Sequence, residues 1–213
     1  FGLESGRPPR TLGENPVVFD DPSPSDDDDA RAARDRIAKV AGEQVGKGQI
    51  VIAGSRYRMD CSGVASGIYA KAGFVLGGEQ SGGLDVKSLF QLVRKSGSLR
   101  RRNPLPGDFA FFDDTYDANG DGMRDDPLSH VAIVERVDDD GTVMLVHRVG
   151  GAVVRARMNL EEPHRRHDDK GHVLNHYLRM GDGSSPAKTT AELFVAFGSL
   201  PLKSPASPLV ASR

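Results

Sequence analysis

At Pro104 the apolar residues of this chain change their period, and that change limits the folds open to it. Before Pro104 they recur at helical spacing, and after it they alternate. Ser25 with Asp26–Asp29 makes a helix start, with acids over the first turn. Ile37, Val40, Ala41 and Val45 follow, and Gly46 or Gly48 ends the run. A second helix carries Val64, Ala65, Ile68, Tyr69 and Ala72, stopped by Gly73. After a glycine-rich turn from Gly77-Gly78 to Gly82-Gly83, Asp85 caps a third with Val86, Leu89, Leu92 and Val93, closed by Gly97. Beyond Pro104, 108–112, 130–137, 142–149 and 152–159 read as strands, 172–179 as a candidate fifth, and 189–197 as a short helix. Helices followed by an antiparallel meander predict an α+β fold. We expect an extended arm over 1–25, one folded domain over 26–198 and a flexible tail over 199–213.

Composition narrows the partners. Twenty-eight basic and 30 acidic residues leave a net charge of −2, which provides no pull toward nucleic acid. No run approaches the roughly 18 apolar residues of a transmembrane segment. The chain begins at Phe1 without Met, as a processed or trimmed form would, and no signal peptide is visible in it; that absence decides nothing. Nothing in it sets the oligomeric state.

Cys61 is the sole cysteine, so no internal disulfide forms and stability rests on packing. It stands in Asp60-Cys61-Ser62-Gly63, where the second helix begins. Unsatisfied N–H groups and the positive end of the helix dipole favour thiolate there, the form that attacks a carbonyl carbon. The alternative is a buried cysteine acting as a small hydrophobe.

A nucleophilic thiol needs a base and a group to orient it. With a two-residue turn at Asp139-Asp140, the hairpin pairs residues whose numbers sum to an odd value. His130, Ala132, Val134 and Arg136 then share a face with Val143, Leu145 and His147, and the two histidines stand diagonally, roughly 7–8 Å apart at the backbone. A register slip of one residue would separate them. Cys61, His130 and His147 are also ligand types for zinc, although close-spaced ligand pairs are missing.

Four pieces in this order resemble the NlpC-type cell-wall cysteine peptidases and their relatives, the CHAP amidases and peptidases, over about residues 45–180. They are Asp60-Cys61-Ser62-Gly63, the run from Leu105-Pro106-Gly107-Asp108 to Phe112, Ser129-His130-Val131-Ala132-Ile133-Val134, and Leu145-Val146-His147-Arg148. The resemblance implies a papain-like fold with the nucleophile at a helix start, packed on an antiparallel sheet. It implies cleavage of amide bonds in peptidoglycan stem peptides outside the cytoplasm, in the envelope or secreted, with no catalytic cofactor. It carries the nucleophile onto Cys61, the base onto His130 and the orienting residue onto His147. It puts Asp60 and Ser62 in the substrate groove, with Tyr57 near the oxyanion. The chain departs from the family at Gly54-Ser55-Arg56-Tyr57, at Ala132 and Val134, and in a long loop before His130. Two other readings stay open: a non-catalytic, calcium-stabilised envelope-binding module, and acyl or peptidyl transfer by the same thiol.

That loop has calcium spacing. Asp117, Asn119, Asp121, Met123 (through its carbonyl) and Asp125 fall at positions 1, 3, 5, 7 and 9, with Gly122 at 6, although Leu128 replaces the closing Glu. A structural Ca²⁺ is the cofactor this pattern suggests, and a flexible Asn/Gly/Asp turn is the plainer reading. His164, His167, His172 and His176 lie among charged residues and are assigned no role.

Overall fold

A computed structural model describes residues 28–52, 55–76 and 82–202. The expected arm, most of the glycine-rich turn and the chain from residue 203 lie outside them. The fold is α+β, as the change of period predicts. Three helices, α1 (Asp28–Gln44), α2 (Cys61–Lys71) and α3 (Val86–Ser96), precede most of the strands. A small ribbon, β1 (Val51–Ile52) with β2 (Ser55–Arg56), leads into α2. The main sheet contains β3 (Ser98–Arg100), β4 (Phe109–Phe112), β5 (His130–Val137), β6 (Val143–Val149), β7 (Ala152–Met158) and β10 (Phe194–Ser199). It is antiparallel, in the order β3-β10-β4-β5-β6-β7.

Alternation sorts this sheet into two cores. Phe109, Phe111, Val131, Ile133 and Val146 face the three helices. Ala110, Phe112, Ala132, Val134, Val143 and Leu145 face the other way. On the helix side Tyr69 stacks on Phe109 at 4.6 Å and donates its hydroxyl to the Gly107 carbonyl at 2.6 Å, which seats α2 against the sheet.

Two expected elements differ. Only one turn of 189–197 is helical: α4 (Thr190–Leu193), opened by a capping box between Thr189 and Glu192. Phe194 then turns extended, and β10 runs between β3 and β4. Leu193 and Phe197 stand four apart and mimic a helical stripe, but the sheet offers this segment two ladders of hydrogen bonds. In 172–179 only β8 (Tyr177–Arg179) is a strand, paired with β9 (Lys188–Thr189) outside the main sheet. The packed body also passes the expected boundary at 198, because Leu200 and Leu202 join the helix-side core.

One buried cluster ties the sheet to α1. Asp108, fully buried, accepts from Arg34 at 2.8 Å, Arg100 at 2.5 Å, Ser199 at 2.5 Å and the Leu105 N–H at 2.9 Å. Burial pushes its carboxyl up, against the pull of Arg100 and Arg34.

Candidate active site

The turn before α2 explains why the Asp60–Gly63 motif has its residue types. Asp60 is the N-cap: its Oδ1 accepts from the Gly63 N–H at 2.6 Å and from Ser62 Oγ at 3.0 Å. Burial raises its carboxyl, but the Gly63 N–H, Arg58 and Ser62 together outweigh that and keep it below the usual range. At position 63 a Cβ would collide with the Arg58 carbonyl, so only glycine lets the chain turn so tightly. Arg58 holds the turn from outside, donating to Asp60 Oδ2, Ser62 Oγ and the carbonyls of Gly83 and Leu84. No sequence pattern singles out Arg58.

Cys61 is therefore the first residue of α2, and its thiol lies where the helix start meets the start of β5. Burial, the largest influence, pushes the thiol above its ordinary range, and the Asp60 carboxylate adds to this. Hydrogen bonds from the backbone of Val131, Ser62 and Cys61 pull the other way without prevailing. Burial thus opposes the thiolate that the position at the helix start favours. Dipole stabilisation there is about 1 kcal/mol, and it is outweighed by removing the anion from water.

His130 opens β5, one residue before the N–H that reaches the thiol. Its Nε2 lies 2.8 Å from His147 Nδ1, and the rings meet edge to face with centroids 5.1 Å apart. Both histidines are buried, and Phe112 flanks His130. Burial first, then the facing His147, lowers His130 well below an ordinary imidazole. Burial lowers His147 to about 4, with a further push from His176. An unfolded imidazole takes up its proton near pH 6.5, whereas folded His147 waits until about 4. Between those values the unfolded chain gains protons that the fold refuses, so stability should fall as pH drops through this window. Thermal melts at pH 7 and pH 5 test this, and an equal Tm would contradict it.

The shared face was expected from a two-residue turn, and the structure reaches it otherwise. Asp139, Asp140 and Gly141 form a three-residue connection, with Gly141 at φ 78°, and next to it Val137 pairs with Val143 and Arg136 with Met144. A bulge at Glu135 then restores the odd-sum register, pairing Val134 with Leu145 and Ile133 with Val146. Arg136 consequently leaves the histidine face. Glu135 is fixed by two 2.7 Å bonds from Arg155, in space that a side chain at Gly42 would fill.

The expected substrate residues separate. Ser62 is buried and its hydroxyl is bonded inside the turn, so it does not line a groove. Asp60 is exposed but occupied as the cap, and Tyr57 packs its ring toward Gly67. The calcium expectation meets a different arrangement. Asp117 accepts from the N–H groups of Gly120 and Gly122, Asn119 from Asp121, and Asp121 from Met123. Among the described residues no group of three or more His, Cys, Asp or Glu side chains is placed to hold a metal ion. These side-chain oxygens close the loop's own backbone turns. Cys61, His130 and His147, the zinc alternative, form no such group either. His176, given no role from sequence, accepts the Arg157 N–H at 2.9 Å and so pins the segment before β8 to β7.

Compared with known families, the segment from β1 to the end of the His147 motif matches one family, the CHAP domain. Residues 52–148 match the CHAP domain. CHAP domains are peptidoglycan hydrolases of the amidase or peptidase type, and the match implies that activity class in general terms. No curated protein and no solved structure matches the chain. The CHAP segment includes α2, α3 and β3 to β6, whereas α1, β7 and β10 complete the fold from outside it. No helix among the described residues is long and apolar enough to cross a membrane.

Proposed function

We propose that the CHAP domain hydrolyses amide bonds of peptidoglycan stem peptides through a thioester on Cys61, outside the cytoplasm. This reading is supported by the 2.8 Å bond between His130 Nε2 and His147 Nδ1, and by a thiol that meets the N–H of Val131, the residue after His130. With His147 Nδ1 accepting, His130 carries its proton on Nε2 and leaves Nδ1 with a lone pair for the thiol. The thiol proton passes to His130 Nδ1 as sulfur bonds to the amide carbon. The imidazolium returns that proton to the nitrogen as the C–N bond breaks. Water, deprotonated by His130, then cleaves the thioester and regenerates the thiol. His147 holds the base in its productive tautomer, and the Cys61 N–H at the helix start is the candidate oxyanion donor.

Because both resting groups are neutral, attack and proton transfer are coupled. Acid quench of the enzyme with purified peptidoglycan should trap an acylated Cys61 peptide, identified by mass. Free carboxylates on the released fragments mark hydrolysis, whereas new amides mark acyl transfer. A turnover mixture without Cys61 acylation would exclude the mechanism. The raised thiol also predicts slow iodoacetamide labelling at pH 7, with a rate still climbing above the ordinary thiol range near 8.5. A plateau below pH 7 would contradict it.

A further inference from the structure

The long loop between β4 and β5 has no part in the chemistry above. It leaves the sheet at Phe112 and returns at His130, residues paired across the ladder, so both its ends stand beside the histidine pair. Its neck is closed by the Asp114 N–H on the Asp126 carbonyl at 2.8 Å and the Leu128 N–H on Asp113 at 2.7 Å. Thr115 is pinned to Ser129, the neighbour of His130, by its N–H at 2.9 Å and through the two hydroxyls at 2.8 Å. From the other side Arg179 of β8 donates to the Asp114 carbonyl at 2.7 Å, and Arg124 pairs with Asp182. Segments beyond residue 148, outside the CHAP match, thus clamp a loop inside it.

Held this way, the loop presents Tyr116 with its side 58% exposed. Burial, then the nearby Cys61, Asp126 and Asp60, raise its phenol, so the hydroxyl stays a donor and stands within electrostatic reach of the thiol. Tyr177, another exposed tyrosine, differs: the Arg166 guanidinium lies over its ring at 4.9 Å. An exposed ring with a protonated hydroxyl, one residue from the Thr115–Ser129 bonds that adjoin His130, suits a peptide chain. The ring covers amide planes and apolar side chains, and the hydroxyl donates to a peptide carbonyl.

We propose that Tyr116, carried by the loop that ends at His130, binds the stem peptide at the edge of the Cys61 site. This rests on the hydrolase reading for its substrate class, so its test is made on binding alone. In a Cys61→Ala background, affinity for soluble stem-peptide fragments is measured by fluorescence anisotropy. Adding Tyr116→Ala should weaken binding about tenfold and Tyr116→Phe about threefold, with Tyr177→Ala unchanged. Equal Tm values establish that the variants are folded, and Tyr116→Phe carries the test if the alanine variant is not. Equal affinity with and without the Tyr116 side chain overturns the proposal, and so does an absence of binding by the parent. Tyr116-dependent binding with no hydrolysis by the wild type supports this proposal and removes the catalytic reading. Hydrolysis with a KM indifferent to Tyr116 does the reverse.

Discussion

Cys61→Ala and His130→Ala should each lower kcat/KM on peptidoglycan by at least about 10⁴-fold, and the double variant should lose little more. The reason is the neutral resting pair. With the thiol raised by burial, little nucleophile exists at pH 7 until His130 removes the proton, so losing the base disables the sulfur too. His147→Ala should cost less, because the base remains and only its orientation is lost. Release of soluble fragments, followed by chromatography and mass, measures all four proteins. Additive losses in the double variant would mean that Cys61 and His130 do not act as one unit. The pH profile provides a further check. With His130 held well below 6.5, the acid limb of kcat/KM should lie below the ordinary imidazole range.

Asp108→Ala should be the most damaging change outside the site. It leaves Arg34 and Arg100, both buried, facing each other without their shared carboxylate. Removing one partner of a buried ion pair costs about 3–5 kcal/mol, a large part of the roughly 5–15 kcal/mol that holds a domain folded. For a chain of this size that is a fall in Tm of roughly 6–20 °C. Asp108→Asn keeps acceptor and donor atoms but not the charge, and should fall between alanine and wild type. A thermal melt of Asp108→Ala within about 2 °C of wild type would show that the cluster contributes little. The four donors come from α1, β3, β10 and the approach to β4, so loosening them should also disturb the sheet that mounts His130.

Much of this architecture could be read along the chain, because its signals are local. Asp60 and Asp85 cap the helices they precede, and Gly73 ends α2 at φ 97°. Alternation locates β5 at His130–Val137, and the α+β class follows from the change of period at Pro104. Misreadings arose where a segment's partner was distant in sequence. Phe194–Ser199 has the spacing of a helix but becomes a strand because β3 and β4 flank it, about 80 to 100 residues earlier. Asp108 reads as the first residue of a strand, and nothing nearby in sequence shows that it gathers two arginines and a serine.

The amino-acid order by itself determined the three main helices, the strands of the central meander, the caps at Asp60 and Asp85 and the three residue types from which a thiol chemistry is built. Only the folded chain decided whether those residues could meet. The connection at Gly141 is one residue longer than a two-residue turn, and alone it would put His147 on the face opposite His130. The bulge at Glu135 restores the phase, and it is held by Arg155 from the next hairpin and by the gap at Gly42 in α1. Strand parity depends on every residue between the turn and the site, whereas the contacts that absorb an extra residue come from elsewhere in the fold.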